Sequence, residues 1–251
     1  MLVHTLFCDM HHIVYICNLF YQTNTKMQTD CKYCPFKTTA TSMICDCSLE
    51  ELTNNHLELK LKKGDSIIKQ GTYSTNVIFL RTGLAKIHLA GPYTEQIVKM
   101  VNAPSYLGLP TTFGSKINQY SVTAVSDVEV CFIDLEVFEK ILFDNREFSH
   151  EIIQEFCRNE LESFRRCANR TQKLIRGNMA DALLEFADKI FKSDKFILPL
   201  SQAELANLID TSRESVSRVL TEFDKDGIIK LTGKQIEIIN KKSLKLISQN
   251  G

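Results

Sequence analysis

Three residues near the carboxy end, Glu214, Ser217 and Arg218, have the types and spacing to read the edge of a DNA base pair. Glutamate accepts from a cytosine amino group, arginine donates two bonds to a guanine edge, and serine is small enough to allow close approach. Each good base contact discriminates by about 1–3 kcal/mol. A second set is made of thiols: Cys31 and Cys34 form a C-x-x-C, Cys45 and Cys47 a C-x-C, and Cys131 lies far downstream. Thiolates so grouped hold zinc or iron–sulfur clusters, and four of these five would complete a coordination shell. Both sets also have plainer readings. Thr211 with Glu214 matches a capping box, and Arg218 could serve only a phosphate, which positions without specifying. Cys131 could equally be a small buried strand residue, and Cys157 and Cys167 ordinary helix residues.

The reading set needs two helices and a turn to hold it. Ser201 and Glu204 have Ser-x-x-Glu spacing, which predicts a helix that starts there and buries Leu205, Ala206, Leu208 and Ile209. Asp210, Thr211 and Ser212 interrupt it. The next helix places Val216, Val219, Leu220 and Phe223 on its buried face and leaves Glu214, Ser217 and Arg218 on the other, and Gly227 ends it. Ile228 to Leu231 and Gln235 to Ile239, joined through Thr232, Gly233 and Lys234, read as a hairpin. Together these make a winged helix-turn-helix, whose partner is double-stranded DNA. The formal net charge of zero gives no general argument for nucleic acid. Locally, six lysines from Lys225 onward against Asp226 and Glu237 leave an excess of about +4 where phosphates would lie.

At 251 residues and 44% apolar content, the chain can fill two ordinary domains. From about Leu57 to Phe138, short apolar or alternating runs separated by glycine turns predict an antiparallel sandwich or β-roll. The period then changes. From Ile153, the residues Cys157, Leu161, Phe164 and Ala168 recur every three or four positions along a long helix without internal glycine or proline. A stripe of this kind usually faces a core. Here a dimer seam is favoured, because a helix-turn-helix protein reads two half-sites through twofold symmetry. A short helix around Ala180 to Phe191 leads into the reading head. The expected division is a leader with the cysteine cluster over 1–48, a sensor roll over 49–145, a dimerisation helix over 146–172 and the winged domain over 173–251.

The first 30 residues are moderately apolar, but no basic residue precedes the apolar part, and Asp9, His11 and His12 interrupt it. That pattern predicts neither a signal peptide nor a membrane span, and a cytoplasmic chain with mostly reduced cysteines. His4, Cys8, His11, His12 and Cys17 lack the paired spacing of a metal knuckle, so this stretch is expected to be an irregular leader, with Met27 a second candidate start. A redox enzyme built on Cys31 and Cys34 would need a preceding strand within a βαβ pattern, which is missing. A module that only binds proteins through the roll leaves the Glu214, Ser217 and Arg218 face without a use.

The order of roll, long helix and winged domain resembles the cyclic-AMP receptor protein and fumarate/nitrate reduction regulator (Crp/Fnr) family from about Cys31 onward. KKGDSIIKQG and FLRTGLAKI look like the family's roll signatures, and TSRESVSRVLTEFDKDGII looks like its recognition helix. The resemblance implies an α+β fold: a cyclic-nucleotide-binding-like β-roll (double-stranded β-helix or jelly roll), a long dimerisation helix and a carboxy-terminal winged helix-turn-helix. It also implies a homodimer that acts with RNA polymerase. Glu-x-x-Ser-Arg is the arrangement by which the Fnr branch reads TTGAT-type half-sites, while Arg213 stands where the Crp branch carries a further reading arginine. The expected target is a palindrome with TTG-like outer and CAA-like inner halves.

The resemblance also bears on the effector. Cyclic-nucleotide-binding members hold the ribose and cyclic phosphate with a Gly-Glu pair and an arginine; in the corresponding stretch here, YLGLPTTFGSKINQYSVTAV, Leu109 follows Gly108 and no arginine stands before Ser121. A buried phosphate without a partner is costly, so cyclic AMP is not expected as the ligand. In the Fnr branch, amino-terminal cysteines and one central cysteine bind an oxygen-labile [4Fe-4S] cluster. Cys131 matches the central position, whereas ten residues separate Cys34 from Cys45 and the last ligand would be Cys45 or Cys47. The sensor is thus expected to respond to redox, oxygen or nitric oxide. Zinc, a haem or small apolar ligand in the roll, and no metal at all stay open beside it. Calorimetric titration with cyclic AMP is expected to give no micromolar binding.

Overall fold

The computed structural model describes residues 29–251, so His4, Cys8, His11, His12, Cys17 and Met27 lie outside the described residues. Two 3-10 turns, Cys31–Tyr33 and Thr41–Met43, precede helix α1 (Asp46–Asn54). The roll follows with β1 (His56–Leu61), β2 (Ser66–Ile68), β3 (Asn76–Thr82), β4 (Leu84–Ala90), β5 (Glu95–Asn102) and β6 (Ser105–Leu107). Helix α2 (Leu109–Gly114) separates these from β7 (Ser121–Ala124) and β8 (Val128–Asp134). The strands form two four-stranded antiparallel sheets, ordered β1-β8-β3-β6 and β2-β7-β4-β5. Period-2 alternation sends Ile78, Leu80, Val128 and Val130 inward to meet Ile67, Ala85, Ile87 and Val122 of the other sheet. The β3–β4 corner requires Gly83: its φ is +88°, and a Cβ there would lie 2.4 Å from the Asp127 carbonyl.

The outer face of the β1-β8-β3-β6 sheet is covered by α1, α3 (Leu135–Asp144) and the start of α4 (Arg146–Gln172). Phe138, Phe148, Tyr106 and Phe79 pack ring against ring there. The residues before the roll join this layer. Thr41 Oγ1 bonds the Tyr106 hydroxyl at 2.9 Å, and Cys45 N–H donates to Asn145 Oδ1 at 3.0 Å. Helix α1 also runs across residue 48, the boundary expected between leader and roll.

Helix α4 has 27 residues, about 40 Å at 1.5 Å per residue. Only Phe148 and Ile152 near its start are fully buried. The predicted stripe faces away from its own chain: Ile153 is 60%, Leu161 67% and Phe164 61% exposed. Helix α5 (Ile175–Glu185) begins earlier than its sequence suggests, because Leu174 at its N-cap makes no side-chain bond that could signal the start. Its last turn widens to a π-helix over Phe186–Phe191, where Phe186 and Phe191 pack on Phe196.

The head comprises β9 (Lys195–Ile197), α6 (Gln202–Ile209), α7 (Arg213–Lys225), β10 (Ile229–Thr232), β11 (Gln235–Ile238) and α8 (Lys241–Asn250). Its core is continuous with Leu84, Ile97, Met100 and Val125 of the roll. Lys86, 8% exposed, reaches Glu95 of β5 at 2.8 Å and Glu204 of α6 at 3.0 Å. Arg170 at the end of α4 donates to the carbonyls of Ile97, Val98 and Leu208, and Gln96 donates to that of Asn207.

Burial opposes the Glu204 charge, but bonds from Ser201 and Lys86 outweigh it and hold the carboxyl below its ordinary value. A lowered carboxylate stabilises docking above its unfolded pKa of about 4.3 and loses that contribution as pH falls through the lower folded value. Hydrogen exchange in β5 and α6 is therefore expected to quicken below about pH 4.3. Glu204→Gln should abolish that acid step.

Candidate functional site

The capping box expected at α6 is present: Glu204 N–H donates to Ser201 Oγ at 3.2 Å, and Ser201 N–H donates to Glu204 Oε2 at 2.9 Å. Asp210 closes this helix with φ +57°, the left-handed conformation that turns the chain toward α7. Ser212, not Thr211, caps α7, its hydroxyl accepting from Ser215 N–H at 3.1 Å. Glu214 is thus released from the capping role its spacing with Thr211 suggested. Val216, Val219, Leu220 and Phe223 are buried beneath α7, and Arg213, Glu214, Ser217 and Arg218 are exposed together on its outer side. Arg218 is held only loosely, 3.9 Å from Glu222, whose other oxygen takes Arg176 at 2.5 Å. An exposed thirteen-residue helix fits a major groove about 12 Å wide. Lys230 and Lys234 stand exposed on the β10–β11 wing beside it.

The thiols divide into two groups. Cys131 sits mid-strand in β8, paired in register with Glu58 of β1 and Phe79 of β3. Alternation along β3 puts Arg81 on the same outer face as Val77 and Phe79, where it pairs with Glu58 and lies 94% buried. Cys31 brings its Sγ to 3.8 Å from His56 Nδ1, and Cys131 lies within electrostatic reach of Arg81 and Glu58. Cys45 and Cys47 instead face each other, Sγ to Sγ 2.7 Å, at the exposed start of α1, with Ser48 as the next partner. Any four-cysteine shell drawn from the five needs a member of this second pair, and the pair's contacts are not with Cys131. The described residues therefore do not fit a four-cysteine [4Fe-4S] shell.

Burial pushes the Cys131 thiol up to about 12, partly offset by Arg81. His56 is raised to about 9: burial disfavours its charge, but the bonds from Cys31, Leu52 and Glu58 overcome it. Cys45 is lowered by hydrogen bonds from Cys47 and Ser48. Sequence reasoning missed His56, Glu58 and Arg81. The available signal was a His-x-Glu step on a strand, which places both residues on one face.

Between the roll and α4 lies a cleft of about 450 Å³, lined by Ile87, Val98, Met100, Tyr106, Tyr120 and Ile152 among others. Burial raises the Glu155 carboxyl and lowers the Lys99 ammonium at its edge. Among the described residues no helix is long and apolar enough to cross a membrane.

A sensor roll whose core runs into a winged helix-turn-helix, with the exposed second helix free to enter a groove, defines a DNA-binding transcription regulator. Comparison with known proteins narrows the class. The family model "Cyclic nucleotide-binding domain" matches residues 58–145, and "Crp-like helix-turn-helix domain" matches residues 178–247. Between them they account for more than half of the chain, which belongs to the Crp/Fnr family of transcription regulators. The transcriptional activator protein FnrA of Stutzerimonas stutzeri is 25% identical over 72% of this chain and 75% of its own length. A probable transcriptional activator of Rhizobium leguminosarum is 27% identical over 73% and 77%. The structure of FixK2 from Bradyrhizobium japonicum superposes with a TM-score of 0.70 at 18% identity, covering 76% of this chain and 96% of that one, and it shares the fold. These relatives are regulators, so the reading of Cys31 and Cys34 as an enzyme's redox motif falls.

In metal-free protein, iodoacetamide followed by peptide mass spectrometry is expected to alkylate Cys45 at least tenfold faster than Cys131, since only a thiolate with access reacts.

Proposed function

We propose that this chain regulates transcription as a cytoplasmic homodimer, reading a TTG/CAA-type palindrome through Arg213, Glu214, Ser217 and Arg218 and working with RNA polymerase at the promoter. The observation that carries the reading is the α7 face, where all four side chains are exposed above a fully buried apolar face. Dimerisation is supported by the Ile153, Leu161 and Phe164 stripe, large apolar side chains that their own chain leaves uncovered. Pairing these helices would set two reading heads against half-sites about 34–36 Å apart. The domain boundaries follow the same division, with the segment from about residue 29 acting as part of the sensor.

The sensor responds to redox, oxygen or nitric oxide through Cys31, Cys34 and Cys131. The gathering of these thiols around Arg81 and His56 supports this, as does similarity to regulators named Fnr. A ligand-gated regulator without metal is the second reading, favoured by the cleft beside α4. Either trigger acts by stabilising one arrangement of roll and head over another.

Two measurements test this function. Arg218→Ala should cut the preference for the palindrome over scrambled duplex by roughly ten- to a hundredfold, the worth of one bidentate base contact, whereas Lys230→Ala should weaken both duplexes alike. Equal, wild-type binding of both duplexes by Arg218→Ala would sink the base-reading role. Leu161→Lys with Phe164→Glu should give a monomer by light scattering that binds the palindrome no better than a half-site.

A further inference from the structure

The outer face of β1 and β8 brings unlike donors together. One ring nitrogen of His56, one carboxylate oxygen of Glu58 and the thiol of Cys131 all lie within 4.8 Å of one another. His56 Nδ1 lies 2.8 Å from the Leu52 carbonyl, the hydrogen bond that fixes a ligating imidazole and turns its Nε2 lone pair outward. That Nε2 is 3.2 Å from Glu58 Oε1. The other Glu58 oxygen is held by Arg81 and the Thr29 hydroxyl, so the carboxylate too is oriented from behind. Both side chains thus have outer partners of the kind that orient metal ligands.

We propose that His56 Nε2, Glu58 Oε1 and Cys131 Sγ bind a single divalent transition-metal ion of the zinc or ferrous class. The site deepens the sensing function proposed above, and that sensing role is what it rests on. A tetrahedral ion with bonds of about 2.0–2.3 Å sets its donors roughly 3.3–3.8 Å apart, a spacing these three reach with small side-chain rotations. Imidazole, carboxylate and thiolate together suit zinc or ferrous iron, whereas an all-oxygen set would suit magnesium or calcium. Three protein ligands leave a fourth position open to water or an exogenous ligand. Charge is nearly offset: the dication and Arg81 carry three positive charges, and Glu58 with the Cys131 thiolate carries two negative ones. Arg81 Nε, buried and without a hydrogen-bond partner among the described residues, supplies positive potential that stabilises the Cys131 thiolate. Cys45 and Cys47 have no part in the site.

The test uses the full chain, stripped with chelator and titrated anaerobically with cobalt(II). One equivalent should bind with a thiolate-to-cobalt charge-transfer band and tetrahedral d–d bands, both displaced by zinc. Cys131→Ser and His56→Gln should each weaken binding at least tenfold, and Glu58→Gln, which preserves the packing, should do the same. The Cys45→Ser, Cys47→Ser double variant should bind as wild type. X-ray absorption of the zinc-loaded wild-type chain should show mixed nitrogen/oxygen and sulfur neighbours. This reading does not depend on any variant folding. A sulfur-only shell, wild-type affinity in His56→Gln, or the iron and sulfide content of a cluster would overturn the site. Protein that takes no cobalt yet loses DNA binding on thiol oxidation would sink the site and keep the sensing function. Protein that binds cobalt while its DNA binding ignores both metal and oxidant would keep the site and sink the sensing function.

Discussion

The arrangement of the whole chain depends on one buried ammonium. Lys86 leaves the middle of β4, is almost fully enclosed, and finds its counter-charges on Glu95 of the roll and Glu204 of the head. An enclosed charge with no partner is heavily penalised, so the three groups specify one another's positions. Glu204 is also the third residue of α6, where it closes the capping box. The side chain that starts the first helix of the reading head is therefore the one that fastens the head to the sensor. Through the Asp210 turn, this contact sets where α7 points. Arg170 adds a second tie at the far end of α6, joining α4, β5 and the Leu208 carbonyl. Sensor, long helix and reading head thus meet at a shared seam.

The thiol layer shows how far strand alternation directs chemistry. Regular β3 alternation sends Val77, Phe79 and Arg81 to the same outer layer. There a guanidinium is buried beside Glu58 and under Phe36, whose ring centroid is 5.3 Å away. Cys131 supplies a small side chain where the β1 and β3 neighbours are large. In the metal-free chain its thiol stays protonated at neutral pH, so burial protects it from chance oxidation.

The reading head was almost entirely legible in the sequence, because every element there carries its own local signal. Ser201 and Glu204 mark a start, the Val216 to Phe223 spacing marks a face, and Gly227 with φ +68° marks an end. The roll was legible in its strands, while their order was not, since pairing β1 with β8 joins residues some seventy positions apart. The long helix was legible in extent, and its stripe, expected as a seam, lies exposed on this chain. What could not be read were features made by tertiary approach. Lys86 looked like any strand lysine, and His56 and Glu58 meet Cys131 only once β1 lies against β8. The Thr211–Glu214 spacing misled for a related reason: both Thr211 and Ser212 are competent caps, and the left-handed Asp210 decides between them.

Helix α4 is also a lever. Its 27 residues contain neither glycine nor proline, the usual points of bending, so it moves as a rod about 40 Å long. One end is anchored in the aromatic layer by Phe148 and Ile152, and the other carries Arg170 to the head. Tilting such a rod by about 5° displaces its far end by roughly 3.5 Å, close to the 3.4 Å rise between stacked bases on one strand. A change too small to disturb the packing of the roll is thereby enlarged to one step of the genetic text.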